Sequence, residues 1–171
     1  VVEKGAIQEF MINTSGIGKR TTILDKNIKE IKRYRSFNKR WLLDSNLNNS
    51  DKIILSGNIG EHGIALMSYR EGYGFETEIK SDIAPINGLM EKALSVGGIV
   101  SAKDPTRGGL ANTVNEFSDK SNIGIILEEE RIPIPNGVRS ACDMLGIDPL
   151  EIGNEGKVVL GVVKDKADDV L

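Results

Sequence analysis

The chain has 171 residues, enough for one domain with a sizeable core, and 27% of them are charged against 39% hydrophobic. A net charge of −3 excludes a general nucleic-acid or membrane role, and no apolar run approaches the roughly 20 residues that span a bilayer. The only cysteine, Cys142, has no internal disulfide partner, which points to a reducing cytoplasm.

In chain order, residues 6–13 read as a strand closed by the turn Thr14-Ser15-Gly16-Ile17-Gly18. The following Lys19-Arg20-Thr21 completes no P-loop: Arg20 stands where a magnesium-binding Ser or Thr belongs, and Asn13 where the first glycine belongs. Between Lys19 and Trp41, nine Lys/Arg face only Asp25 and Glu30, a local net of +7, so the remainder carries −10. This stretch ends in the polar run 44–51. Residues 19–50 therefore read as a basic insert or linker, solvated or able to meet an acidic partner or RNA.

From residue 51 strands and helices alternate. Lys52 to Leu55 reads as a strand, Ser56 to Gly63 as a glycine loop, and Ile64 to Glu71 as a short helix stopped by Gly72. Phe75 to Lys80 alternates as a strand. A helix capped by Ser81 or Asp82 carries Ile86, Leu89, Met90, Ala93 and Leu94 on one face, and Gly97-Gly98 stops it. Ile99 to Ala102 and Ile123 to Leu127 read as strands on either side of a helix running to about Ser118. A helix capped by Asn136 carries Val138, Ala141, Cys142 and Leu145, and Lys157 to Val163 is a buried strand. Asp165 caps a helix reaching the last residue. The class is α/β, with no repeat of 20–50 residues.

The most informative local signal is Asp104-Pro105-Thr106-Arg107-Gly108-Gly109-Leu110. It lies between a strand and a helix whose face reads Leu110, Thr113, Val114, Phe117. A helix start offers unpaired N–H groups and partial positive charge. Two glycines allow close approach to that backbone, and Arg107 adds a fixed fork-shaped charge, so the pattern suits phosphate or carboxylate. It suits equally a tight turn whose glycines merely permit a bend, and Asp104 and Thr106 read either as helix caps or as ligand contacts. The loop bearing Gly57, Gly60 and Gly63 is not a dinucleotide fingerprint, since its first two glycines stand three apart. It includes His62, the only histidine: a general acid or base, a phosphate donor, or a structural loop residue. Asn154-Glu155-Gly156 precedes the last strand, where Glu155 is either a base or part of an ordinary turn. Cys142 lies on an apolar stripe and reads as core.

Four motifs in order resemble one family: Leu55 to Gly63; Glu76-Thr77-Glu78-Ile79-Lys80-Ser81-Asp82-Ile83-Ala84-Pro85; Asp104 to Leu110; and Asn154-Glu155-Gly156-Lys157. The chain resembles the hydrogenase-maturation family HypE, in the superfamily that includes aminoimidazole ribonucleotide synthetase and selenophosphate synthetase. Val1 to Ala6 and Ile12 to Gly18 also resemble the end of that family's first domain. The resemblance implies a synthetase-like C-terminal domain over 51–171, with a mixed sheet and packed helices. It also implies a remnant of an ATP-binding N-terminal domain over 1–18, with 19–50 matching nothing in the pattern.

What the resemblance implies chemically is ATP-dependent dehydration of a carbamoyl group on a C-terminal cysteine to thiocyanate, supplying cyanide to nickel–iron hydrogenase. Glu155 is then the base. Arg107, Gly108 and Gly109, with Asp104, Thr106, Gly57, Gly60, His62 and Asn154, hold phosphate, nucleotide or substrate. ATP and Mg2+ would sit mainly on a first domain, and no metal site is expected in this chain. The expected partners are a carbamoyl transferase and an iron-carrier scaffold complex, with a homodimer at full length and no nucleic acid or membrane. The family's Pro-Arg-Ile-Cys tail is absent from the sequence, so the chain is expected to be inactive alone. A non-catalytic dimerisation or docking domain and a sister ATP enzyme such as selenophosphate synthetase are the alternatives.

Overall fold

The apolar run 158–163 forms the centre of the sheet. In the computed structural model, which describes residues 15–73 and 79–171, β3 (Val159–Val162) lies between β1 (Lys52–Leu55) and β2 (Ile99–Lys103). Lys52 pairs with Val162 and Leu55 with Val159 on one side. Ile99 pairs with Val162 and Lys103 with Val159 on the other, with an irregularity between Ile99 and Ser101. Both pairings are antiparallel, so among the described residues the sheet is not the mixed one expected. The strand expected over 6–13 lies outside the described residues, as do positions 75–78 of the strand expected over 75–80.

A strand buried on both faces needs cover on both, and β3 is buried along its length. Leu160 and Val162 join Ile54 and Ile99 under α3 (Asn87–Val96) and α6 (Ala167–Val170), with Ala93 and Ala167 reaching in. On the opposite face, Val159 and Val100 join Leu110, Val114 and Phe117 of α4 (Gly109–Ser121). The same cluster takes Ile64 of α2 (Glu61–Glu71) and Val138, Ala141 and Cys142 of α5 (Asn136–Leu145). Phe117, Ile64 and Val138 are fully buried, each contributing about 1.5–3 kcal/mol relative to exposure. Burial and the nearby Asp143 and Asp148 push the Cys142 thiol up, as suits an inert core residue.

The segment expected to be a solvated insert is part of this core. Thr21 caps α1 (Thr22–Tyr34), whose Leu24, Asn27, Ile28 and Ile31 are buried at spacing i, i+3, i+4, i+7. The chain then dresses the outer edge of β2. Asn27 accepts from Ile99 N–H at 2.8 Å and donates to Ile99 C=O at 2.7 Å. Asn46 Nδ2 donates to Val100 C=O at 3.0 Å, and Ser101 Oγ donates to Leu43 C=O at 2.7 Å. An uncovered strand edge is a template for non-native pairing, and this segment occupies it. Most of the basic residues are exposed, but Arg35 is largely buried against Asp51 at 2.7 Å, and Arg20 is partly buried between Asp25 and the Trp41 ring.

Two further expectations are corrected. Residues 123–127 form no strand among the described residues, although Ile123, Ile125 and Leu127 pack against the core while Ile126 stays exposed. Helix α3 starts at Asn87 rather than at Ser81 or Asp82. Pro85 disfavours helical geometry at Ala84, and Ser81 Oγ accepts from Ile83 N–H in a local turn.

Candidate functional site

The Asp104 to Leu110 motif turns the chain from the end of β2 into α4. Thr106 Oγ1 donates to Asp104 Oδ2 at 2.7 Å, so these side chains satisfy each other. Neither caps α4, which has no side-chain cap. Among the described residues, no acceptor meets the N–H groups of Gly109, Leu110 and Ala111. Such a helix start carries donors and partial positive charge, although Gly109 and Leu110 are themselves buried. Arg107 and Gly108 are exposed at its rim. Gly108 and Gly109 both take left-handed backbone, with φ +68° and +62°. Gly109 is buried, and a Cβ there would lie 2.4 Å from Leu150 O. Its lack of a side chain thus serves close backbone packing rather than ligand approach.

Asn154 ties three loops together. It is 2% exposed. Its Oδ1 accepts from Gly60 N–H at 2.7 Å, and its Nδ2 donates to Ile152 C=O at 2.7 Å and Pro105 C=O at 3.3 Å. Its backbone N–H also donates to Pro105 C=O, at 3.0 Å. Both amide hydrogens are committed to backbone, so Asn154 positions the site rather than offering donors to a ligand. Gly60 caps α2 at φ +89°, where a Cβ would sit 2.5 Å from Val138 Cγ1. Gly60 therefore shapes the loop from within.

The remaining motifs join at the same place. His62 Nδ1 lies 2.8 Å from Ser81 Oγ. Lys157 forms an ion pair with Asp82, both largely buried, and the Lys157 stem passes 3.5 Å from where a Gly57 Cβ would be. Gly156, at φ +66°, sits so close to the 82–84 backbone that a Cβ would lie 2.5 Å from Ala84 N. Between Asn154 and Gly156, the Glu155 carboxylate is half-buried. It makes no hydrogen bond or ion pair among the described residues. Sequence reading picked out Glu155 as a site residue but not Lys157, Ser81 or Asp82, which it held only as members of motifs or as a helix cap. The signal for Ser81 and Asp82 is a polar pair directly after an alternating apolar run.

An ionic network lies behind the turn. Lys103 and Lys120 both donate to Glu116 Oε2, at 2.5 and 2.7 Å, and both reach Asp44 Oδ2, at 3.3 and 2.7 Å. The two ammonium groups hold the Glu116 carboxyl down at about 2, well below its ordinary value. Asn112 Nδ2 donates to Glu116 Oε1 at 2.9 Å and to Arg107 C=O at 3.2 Å. Sequence reading missed this network, because its members are spread over 44–120 and carry no motif.

The arrangement gives an exposed guanidinium beside helix amides without a side-chain cap, and a carboxylate without partners among the described residues, adjacent in sequence to the Asn154 that bonds Pro105. That suits binding of an anionic group with proton removal nearby. The described residues include no group of three or more His, Cys, Asp or Glu able to hold a metal ion, and no helix among them is long and apolar enough to cross a membrane.

A hydrogenase expression/formation protein of Methanocaldococcus jannaschii is 50% identical over 166 residues, 96% of this chain and 45% of the relative. A protein of Bradyrhizobium diazoefficiens named carbamoyl dehydratase HypE is 40% identical over 173 residues, covering 100% of this chain and 45% of the relative. Among solved structures, a HypE–HypF complex matches at TM-score 0.73 and 46% identity, over 74% of this chain and 42% of that one. HypE in complex with ATP matches at 0.72 and 37%, over 75% and 38%. The chain spans about half the length of the curated relatives it matches. Residues 49–171 match the family described as AIR synthase related protein, C-terminal domain, and the chain belongs to that family, with HypE proteins as its relatives.

Proposed function

We propose that this chain is the C-terminal domain of a HypE-type carbamoyl dehydratase and supplies the side of the active site that handles phosphate and proton transfer. The single observation that carries this reading is the joining of Gly60, Pro105 and Asn154 by buried hydrogen bonds, which gathers the glycine loop, the Arg107 turn and Glu155. Relatives named carbamoyl dehydratase and a HypE structure containing ATP support it.

A carboxamide oxygen is a poor leaving group. ATP, when bound, supplies the phosphoryl group that makes it a good one. The described residues fit an anion at the start of α4, which has no side-chain cap, with Arg107 and the N–H groups of Gly108, Gly109 and Leu110 as the groups that would hold it. Among the described residues no group of three or more His, Cys, Asp or Glu offers Mg2+ a protein cage.

In the reaction a cysteine-borne carbamoyl group loses two nitrogen-bound protons and its oxygen, and a carbon–nitrogen triple bond forms. One proton passes to solvent as the carbamoyl oxygen takes the phosphoryl group and ADP departs. Glu155 accepts the second as the C–O bond breaks. Arg107 and the helix amides stabilise negative charge gathering on the departing phosphate. His62, oriented by Ser81, and Lys157, held by Asp82, line the approach from the glycine loop.

The cysteine-bearing tail and most nucleotide contacts belong to parts of the parent enzyme beyond this sequence, and we place the enzyme in the cytoplasm. Other maturation proteins, including a carbamoyl transferase and an iron-carrier scaffold, are its partners, and the solved HypE–HypF complex supports a maturation partner. The full-length enzyme is a homodimer on this reading.

The test is mass spectrometry of the carbamoylated tail in full-length enzyme. Glu155→Gln should load the carbamoyl group and fail to lose water after ATP is added. Normal thiocyanate formation would exclude Glu155 as the base.

A further inference from the structure

We infer that Asn112, oriented by Glu116, is a positioning residue that fixes the Arg107–Gly108 peptide in the geometry used to hold the anionic group. This rests on the phosphate-handling role given to Arg107 above.

The argument starts from which atoms can donate. Glu116 is ionised throughout the working range and only accepts, because two lysines hold its charge. An acceptor-only neighbour 2.9 Å away settles the Asn112 amide orientation: Nδ2, not Oδ1, faces Glu116. The same nitrogen has one more hydrogen, and the acceptor it meets is Arg107 C=O at 3.2 Å. In a trans peptide the next N–H points opposite to the carbonyl. Pinning Arg107 C=O toward Asn112 therefore aims Gly108 N–H away from it.

Asn112 also closes the turn from the other side. Its backbone N–H donates to Gly108 C=O at 3.0 Å, and its Cβ lies 2.7 Å from where a Gly108 Cβ would be. Both peptide planes flanking Gly108 are thus held by one residue. Lys103 at the end of β2 anchors Glu116 and is itself held by Asp44, so the network links the turn to the sheet.

The experiment is a double-mutant cycle in full-length enzyme, reading ATP-dependent dehydration as kcat and KM for ATP. Arg107→Ala alone tests the underlying reading; unchanged kinetics there would overturn both. Given a loss with Arg107→Ala, Asn112→Ala should lower kcat/KM about fivefold, one hydrogen bond's effect, and Glu116→Gln should act in the same direction. By pinning the residue-107 carbonyl, Asn112 also fixes how the Arg107 side chain leaves the turn; in the Arg107→Ala background that guanidinium is gone, so Asn112→Ala should cost less than it does in wild type. A merely structural Asn112 would give the same additional loss in both backgrounds, and that additivity would overturn the inference, as would unchanged kinetics in Asn112→Ala. Should Asn112→Ala fail to fold, Glu116→Gln with and without Arg107 decides by the same criterion.

Discussion

Gly60 donates its backbone N–H to Asn154 Oδ1 at 2.7 Å, joining residues 94 positions apart inside the protein. Asn154→Ala would leave that N–H and the Ile152 carbonyl without their partner, while Pro105 C=O would keep only the residue-154 backbone N–H. We expect a loss of about 2–4 kcal/mol in folding free energy, read from urea unfolding, because buried polar groups left unpaired cost more than the bond itself contributes. A stability equal to wild type would mean that the loops assemble without Asn154.

Glycines in this chain divide by what their Cβ would meet. Gly109→Ala pushes a methyl to 2.4 Å from Leu150 O at φ +62°, and should destabilise by about 2–4 kcal/mol. Gly88→Ala, inside α3 with nothing within 4 Å, should stabilise by about 0.5–1 kcal/mol. Thermal melts of the two variants shifting the same way would contradict the backbone packing described.

The edge of β2 gives a third expectation. Asn27 is fully buried and bonded twice to Ile99. Asn27→Ala should cost about 2–3 kcal/mol and speed amide exchange at Ile99 first. Exchange at Ile99 unchanged against wild type would return residues 19–50 to the status of a linker.

Acid titration follows from Glu116. Its folded value of about 2 lies below its ordinary 4.5, so its contribution is complete above 4.5 and lost as pH falls toward 2. Lys120 is raised by its hydrogen bonds to Asp44 and Glu116, so its contribution is complete below its ordinary 10.5 and lost at higher pH. Glu116→Gln should flatten the fall in stability between pH 4.5 and 2. Because the group is solvent-exposed, the effect is small and shrinks with added salt. A slope in Glu116→Gln as steep as in wild type would assign the acid limb to other carboxylates.

Much of the fold was legible because local signals and tertiary burial agree. Helices α2, α4 and α5 end at Gly72, Asn122 and Gly146, all in left-handed backbone, and the apolar run 157–163 became the doubly covered central strand. The errors share a cause. Alternation over 123–127 reports burial on one side, with Ile126 93% exposed, and burial of one side does not require a pairing partner. Over 19–50, charge density drew attention away from the stripe Leu24, Asn27, Ile28 and Ile31, although its spacing was on view. Within the site, Arg107 and Glu155 carry local sequence signatures. The roles of Asn154, Asn112 and Glu116 depend on which carbonyls and charges lie beside them, which sequence spacing does not encode.

The central claim is that the uncapped start of α4, beside Arg107, holds an anionic group. The direct measurement is a titration of the isotope-labelled protein with inorganic phosphate, followed by amide nitrogen–proton shifts. We predict saturable shifts centred on Gly108, Gly109 and Leu110, strongly weakened in Arg107→Ala. Shifts absent from those amides, or present there and indifferent to Arg107, would contradict it.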